Sequence, residues 1–170
     1  MLKKEVLAGL SKQIQHELTA EYAYLAISVW FERQALNGFA DYFLKQAAEE
    51  HAHAMRILRY VQDRGGEAKL GPIEAPRQEF ASALDALKHA QALERGNTAA
   101  INALYAIAVK ADDLATQNHL QWFLKEQVEE EQWTDEFVAI AEKIDTNVGA
   151  LFMFDHRVGK KAREEEDEEE

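Results

Sequence analysis

Apolar residues recur along most of this chain at the three- and four-residue spacing of an amphipathic helix. In the first segment, about 5–36, the apolar stripe includes Val6, Leu10 and Ile14. A period near 3.6 residues indicates a helix with one buried face. The same pattern predicts three further long helices and a short fifth one, over about 39–64, 78–110, 113–144 and 147–158. The chain is therefore expected to be all-α.

The connections between the predicted helices indicate their directions. Short turns near Asn37-Gly38 and residue 112 make helices one and two, and helices three and four, antiparallel hairpins. The stretch 65–77 holds both prolines and three glycines. Fully extended, it reaches about 43 Å, whereas a helix of about 26 residues is about 39 Å long. This linker can span the bundle, which predicts a four-helix bundle with a long crossover between helices two and three.

Composition narrows the class of protein. With 170 residues, two prolines, eight glycines and no cysteine, the chain fits one helical domain. The lack of cysteine excludes disulfides, thiolate catalysis, iron–sulfur clusters and cysteine-based zinc sites. A net charge of −12 argues against a nucleic-acid partner. No apolar run of about 18 residues and no signal-like N-terminus is present, so we expect no membrane span and a cytoplasmic location.

Acidic residues are concentrated at the C-terminus. Residues 164–170 are seven consecutive acids, and without them the net charge falls from −12 to about −5. We interpret 1–158 as the folded domain and 159–170 as a charged, strongly acidic tail. Such a composition is typical of a solvated, disordered segment.

Four glutamates, Glu17, Glu50, Glu94 and Glu130, lie near the midpoints of the four long predicted helices. Helices of similar length meet at their middles, so these side chains are expected to converge inside the bundle. Unpaired carboxylates are costly to bury together, which predicts a cation between them. His53 follows Glu50 by one turn on the same helix face. Oxygen-rich ligands with one imidazole suit iron or manganese, and zinc can compete.

The spacing also suggests how two ions would share these ligands. If Glu50 and Glu130 lie between the ions, both can act as bridges. One ion would then be held by Glu17, Glu50 and His53, and the other by Glu50, Glu94 and Glu130. So few protein ligands leave open positions for water and dioxygen, which redox chemistry requires.

Over about residues 1–158 the chain resembles the haem-free ferritins of bacteria and archaea. The resemblance rests on Glu17, Glu94, the segments 49–53 and 126–131, and the apolar segment 151–155. A bacterioferritin would have histidine in place of Glu130 and a haem-ligating methionine near Ala52, so haem is not expected. Rubrerythrins need a cysteine-ligated iron module, which this chain cannot build.

The resemblance implies an iron-storage subunit with ferroxidase activity. Two Fe(II) would form a di-iron centre, dioxygen (or peroxide) would oxidise them, and Fe(III) would be stored as hydrated ferric oxide. The implied assembly is a hollow shell of 24 identical subunits, with the fifth helix packed at an axis. A third iron site would use Glu130 together with three further acids, Glu49, Glu126 and Glu129.

Two other side chains, Tyr24 and Trp122, match residues beside the family's di-iron centre, and Gln127 precedes Glu130 by three residues. Tyr24 is expected to hydrogen-bond a ligand carboxylate or to donate an electron, although a half-buried core tyrosine is the alternative. Gln127 is expected to orient a ligand, although weak ligation is the alternative. Trp122 fits packing and function equally well.

Other functions fit parts of the pattern. A di-iron or iron–manganese oxidase of an organic substrate would need a cavity beside the site. A shell subunit that stores iron without oxidising it would have lost di-iron ligands, whereas all are present. A zinc or manganese buffer is compatible with the ligand set. The acidic tail, if it follows the fifth helix into the shell, would concentrate Fe(II) and seed mineral.

Overall fold

The structure is a computed structural model that describes residues 2–144 and 146–169, with side chains for 2–144 and 146–163. It contains five helices: α1 (Lys4–Arg33), α2 (Asn37–Asp63), α3 (Ala83–Lys110), α4 (Leu114–Ile144) and α5 (Val148–Glu169). Over this part of the chain there is no strand, which confirms the all-α prediction. None of these helices is long and apolar enough to span a membrane.

The direction of each helix follows from the contacts between helices. Ser28 near the end of α1 donates to the carbonyl of Ala40 at the start of α2, so the two helices are antiparallel. Helix α1 is also antiparallel to α3, because Gln13 contacts Asn97 near the middle of both helices and Gly9 contacts Leu104 further along. Helices α2 and α3 are therefore parallel. The predicted long crossover is confirmed, and residues 64–82 form it.

Helix α3 begins at Ala83, five residues later than the predicted start near 78. The prediction was wrong because Phe80 continues the apolar pattern while lying outside the helix. Its ring is buried against the indole of Trp30, with ring centroids 5.5 Å apart. The helix starts where the Ser82 hydroxyl accepts a hydrogen bond from the Asp85 amide at 3.1 Å, a favourable N-cap.

Two apolar clusters fill the bundle on either side of its centre. One is rich in aromatic side chains and includes Phe31, Phe43 and Phe137. The other, at the opposite end, is mainly aliphatic and includes Leu10 and Ile101. The buried glutamates of the four long helices belong to neither cluster and lie between them along each helix. The packing thus leaves a polar layer across the middle of the bundle.

Helix α5 is longer than predicted, since it continues past residue 158 to Glu169. Good helix formers, including Lys160, Lys161 and Ala162, follow Val158, and Val158 and Ala162 are buried. The carboxylate of Asp155 on α5 accepts a hydrogen bond from the Phe39 amide at 2.8 Å. It thereby caps the N-terminus of α2, which has no cap from Leu36. The side chains of the acidic run 164–170 lie outside the described residues, so its role stays a prediction.

Candidate metal centre

Three of the predicted ligands converge in the polar layer. Ligand atoms of Glu17, Glu50 and His53 all lie within 4.8 Å of one another. His53 Nδ1 is 3.7 Å from Glu50 Oε2 and 4.0 Å from Glu17 Oε2. All three side chains are buried. Antiparallel packing of α1 on α2 brings Glu17 beside Glu50, and one helical turn brings His53 onto the same face.

The unpartnered atoms of this group fit a cation. Among the described side chains, Glu50 Oε2 and His53 Nδ1 are buried without a hydrogen-bond partner. Burial, the main cause, lowers the pKa of His53 despite the opposing effect of Glu17, which favours a neutral imidazole that can bind a metal. A buried acceptor without a partner costs about 1–3 kcal/mol. A metal ion between these two atoms would satisfy both of them.

The remaining carboxyls of the layer interact electrostatically with this group. Burial, followed by repulsion from Glu17, raises the pKa of Glu50 well above its ordinary value of 4.5. Burial also raises the pKa of Glu94 to about 7. For Glu130, burial and then the charge of Glu94 raise the pKa well above 4.5. Without a cation, these carboxyls therefore retain protons at pH values where ordinary glutamates have lost them.

Glu94 and Glu130 lie in the layer but outside the compact three-residue group. Tyr24 donates to Glu94 Oε1, and Gln127 Nε2 donates to Glu94 Oε2 at 3.1 Å. Trp133 Nε1 donates to Glu130 Oε2. The structure thus places Tyr24 and Gln127 in contact with a predicted ligand. The bridging roles of Glu50 and Glu130 stay predictions.

Three buried side chains beside the ligands were not anticipated from the sequence. Gln13 Nε2 donates to Glu17 Oε1 at 2.8 Å, and Asn97 Nδ2 donates to Glu17 Oε2 at 3.0 Å. Trp133 is the third, through its bond to Glu130. One signal was available: Gln13 precedes Glu17 by four residues and Asn97 follows Glu94 by three, so both polar residues share a helix face with a predicted ligand.

A groove of 1320 Å³ opens beside the polar layer, mainly between α2 and α4. Its lining includes His53 and the predicted third-site acids Glu49, Glu126, Glu129 and Glu130. Partial burial and then the neighbouring Glu129 raise the pKa of Glu126. Glu129 itself is 63% exposed and lies 3.8 Å from Lys125. The acids therefore share a groove, and they are not among the residues of the compact buried group.

Trp122 lies where the groove meets the buried ligands. Its indole packs edge-on against the imidazole of His53, with ring centroids 5.2 Å apart. The guanidinium of Arg56 lies 4.0 Å above the same indole. This packing limits the rotation of His53, so Trp122 contributes at least to the orientation of a predicted ligand.

Comparison with known proteins tests the family resemblance that the sequence motifs indicated. The sequence profile of the ferritin-like domain matches residues 7–144. The bacterial non-heme ferritin of Staphylococcus aureus (strain USA300) is 34% identical over 166 residues, which is 98% of this chain and 100% of the relative. An open pore ferritin from the hyperthermophilic archaeon Archaeoglobus fulgidus superposes with a TM-score of 0.92 at 33% identity, covering 94% of this chain and 98% of that one. The chain is a haem-free ferritin.

Membership in this family confirms the prediction made from the sequence motifs and supports iron storage as the function of the chain. Ferritins bind iron. Iron is therefore the cation that family membership indicates for the group of Glu17, Glu50 and His53. The relative from Staphylococcus epidermidis is 35% identical over the same length and bears the same description.

Tyr24→Phe is expected to weaken metal binding in this ferritin, and more so at low pH. Tyr24 donates to Glu94, and this bond lowers the pKa of Glu94 against the larger effect of burial. Without it the pKa of Glu94, now about 7, rises further, so protons compete better with the metal. We expect a loss of about fivefold in Co(II) affinity, equivalent to one hydrogen bond of about 1 kcal/mol.

Calorimetric titration with Co(II) at pH 6.5 and pH 8.5 measures this effect. The loss should be larger at pH 6.5, where a raised pKa leaves more of the carboxyl protonated. Tyr22→Phe, at an exposed tyrosine two residues away on α1, is the control. An equal loss at both pH values would contradict the role of Tyr24 in holding the Glu94 carboxylate.

Proposed function

We propose that this ferritin subunit is a cytoplasmic ferroxidase of an iron-storage shell. Two Fe(II) ions bind as substrates at a di-iron centre built from Glu17, Glu50, His53, Glu94 and Glu130. Dioxygen or peroxide oxidises them, and the Fe(III) is stored as hydrated ferric oxide inside a homo-oligomer of 24 subunits. The observation that carries the proposal is the buried group of Glu17, Glu50 and His53, in which two atoms lack partners.

The protonation states of the site suit this reaction. Each Fe(II) loses one electron, and dioxygen accepts two electrons and two protons to give hydrogen peroxide. Cation binding displaces the protons that Glu50 and Glu94 retain because of their raised pKa values. The neutral imidazole of His53 needs no deprotonation before it binds iron. Hydrolysis of Fe(III) to the hydrated oxide later releases further protons.

The groove between α2 and α4 provides a path away from the centre. Glu49, Glu126 and Glu129 line it together with Glu130, a predicted ligand. We propose that these acids form the third iron site, which takes Fe(III) from the di-iron centre. Carboxylates along one groove would pass a hydrated cation outward without a strongly binding trap.

Helix α5 supports self-assembly. Phe152 and Met153 are large apolar residues on its surface, and Met153 is 77% exposed. Val148 adds a third exposed apolar side chain at the start of the helix. Val148 and Phe152 are four residues apart and so share a helix face, and exposed apolar side chains grouped in this way are a sign of a protein interface. We propose that α5 packs against copies of itself at an axis of the shell.

The features of the groove favour ferric ions over an organic substrate. An oxidase of an organic compound would need a cavity beside the metal centre, and sites for such ligands are mostly apolar. A cavity is present, but charged side chains line much of it, including Lys45, Glu49, Arg56 and Glu129. Storage without oxidation would require loss of di-iron ligands, and all five predicted ligands are present and buried.

Stopped-flow absorbance after mixing metal-free protein with Fe(II) and dioxygen tests the proposal. We expect a fast oxidation phase in the parent and a fall in its rate of at least about a hundredfold in Glu130→Ala, since even outer contacts of metal sites contribute 10–100-fold. Glu67→Ala, at an exposed residue of the crossover, is the matched control. The absence of a fast phase in the parent, or parent-like kinetics in Glu130→Ala, would defeat the proposal.

A further inference from the structure

Three buried amide side chains connect Glu17 to Glu94 across the bundle. Asn97 Oδ1 accepts from Gln13 Nε2 at 2.6 Å, and Asn97 Nδ2 lies 3.4 Å from Gln127 Oε1. Gln13 and Asn97 both donate to Glu17, while Gln127 donates to Glu94. The chain of hydrogen bonds therefore runs from a carboxylate on α1, through amides of α1, α3 and α4, to a carboxylate on α3.

These three amides are buried, and together with Tyr24 they provide a hydrogen-bond donor to every oxygen of the two carboxylates. Gln13, Asn97 and Gln127 are each at most 5% exposed. Both oxygens of Glu17 accept an amide hydrogen bond, at 2.8 Å and 3.0 Å. Both oxygens of Glu94 also accept a hydrogen bond, one from the Tyr24 hydroxyl and the other from the Gln127 amide. Neutral donors on every oxygen fix the plane of each carboxylate.

The shared donor of Asn97 provides the connection between the two carboxylates. The Nδ2 amino group of Asn97 has two hydrogens, and it donates one to Glu17 Oε2 at 3.0 Å and the other to Gln127 Oε1 at 3.4 Å. A cation bound to Glu17 withdraws electron density from Oε2 and makes it a poorer acceptor. The Asn97 nitrogen then receives less electron density through that bond, so its second N–H becomes a stronger donor to Gln127 Oε1, which polarises Gln127 Nε2 toward Glu94. Chains of hydrogen bonds strengthen one another in this way in a low dielectric.

We propose that Gln13, Asn97 and Gln127 form an amide relay that couples a cation at Glu17 to the binding of a second cation at Glu94. The relay is a set of positioning residues, since none of the three needs to touch iron. Filling of the first position orients Glu94 for the second, so that single-ion occupancy is disfavoured and paired Fe(II) is favoured. The proposal rests on the two-ion centre proposed above and adds to it a mechanism for filling both positions together.

Variants at the two ends of the relay test this coupling. Gln13 contacts Glu17 and Asn97, while no contact with Glu94 is present among the described side chains. Gln127 contacts Glu94 and Asn97, and no hydrogen bond to Glu17 is present among the described side chains. Gln13→Leu is therefore expected to weaken binding at the distant Glu94 position, and Gln127→Leu at the Glu17 position, each by about tenfold, within the usual range for coupled sites.

Anaerobic titration with Co(II) measures the two affinities in the assembled protein, and anomalous diffraction from crystals at graded Co(II) shows which position fills. In a relay, breaking either end removes the same coupling. The double variant should therefore show no further loss of coupling beyond either single variant. Thr116→Val is the control, because Thr116 is buried and hydrogen-bonded to Tyr60 and Arg64 away from the site.

The outcomes separate the relay from simpler roles. Losses confined to the adjacent position in each single variant would overturn the relay and leave the amides as local supports. Equal losses in Thr116→Val would show a general effect of stability and would also overturn it. A parent that binds one Co(II) per subunit would defeat the two-ion centre itself. A parent that binds two, with distant affinities unchanged in both variants, would defeat the relay alone.

Discussion

Glu50→Gln is expected to abolish the fast phase of Fe(II) oxidation and, in the same protein, to raise the melting temperature of the metal-free form. Both effects have one cause. Glu50 is buried among Glu17, Glu94 and Glu130, and its Oε2 has no hydrogen-bond partner. An amide of the same shape keeps the packing, removes the charge and supplies two donors, but cannot bridge two ions as a carboxylate does.

The stabilisation should depend on pH with a definite sign. The pKa of Glu50 in the folded protein lies well above 4.5 because of burial and then repulsion. The folded state therefore binds this proton more tightly than the unfolded state does, and folding loses stability as pH rises above the unfolded pKa. The gain from Glu50→Gln should be absent near pH 4 and should grow toward pH 8. Removing an uncompensated buried charge of this kind is worth about 2 kcal/mol.

Thermal unfolding in the presence of a chelator at pH 4, 6 and 8 measures this gain. A change of about 2 kcal/mol corresponds to about 4–8 °C in a domain of this size. Glu67→Gln changes the same charge at an exposed position of the crossover and serves as control. Saturating Co(II) should reverse the order, since the parent gains stability from binding. A variant no more stable than the parent at pH 8 would contradict the cost assigned to this buried carboxyl.

The order of elements could be predicted from the sequence because local signals determine it. The predicted turn at Asn37-Gly38 lies slightly too late, since residues 34–36 form the turn and Asn37 begins α2, but this signal and the glycine-rich stretch after residue 64 still separate the long apolar stripes. The two largest errors in helix boundaries have a different origin. Phe80 is apolar in an extended segment because it packs on Trp30. Helix α5 continues past residue 158 because Val158 and Ala162 are buried on the bundle. Both depend on tertiary contacts that no local pattern contains.

In the candidate site, too, some features follow from the local sequence and others depend on tertiary contacts. Glu17, Glu50 and His53 were expected to converge because helices of similar length meet at their middles, where these residues lie. The structure places them together. Gln13 and Asn97 were missed because a single amide on a helix is ordinary at a surface. Each shares a helix face with a predicted ligand, but burial and mutual geometry are what distinguish it from a surface amide. Trp133 was missed for the opposite reason, because a large aromatic residue is ordinary in a core and its bond to Glu130 leaves no trace in the sequence.

Gly38→Ala is expected to separate α5 from the bundle and to disrupt assembly. Helices α2 and α5 cross where Gly38 faces Gly159, and a Cβ atom at Gly38 would lie 1.9 Å from the carbonyl oxygen of Asp155. That oxygen belongs to the backbone, so α5 must move to admit the methyl group. Movement also weakens the cap that Asp155 provides to the Phe39 amide. Overpacking costs about 1–3 kcal/mol, and loss of the cap adds about 1 kcal/mol.

Hydrogen exchange and light scattering together test this expectation. Amides of α5 should lose protection while those of α1 to α4 keep it, and the protein should elute as smaller assemblies, because α5 carries the exposed Phe152 and Met153 proposed to pack at an axis. Gly96→Ala is the matched control. A Cβ at Gly96 meets nothing within 4 Å, and alanine in the middle of α3 should stabilise the helix by about 1 kcal/mol. Unchanged protection of α5 in Gly38→Ala would show that the crossing tolerates a side chain, and the shell would then not depend on this close approach of two backbones.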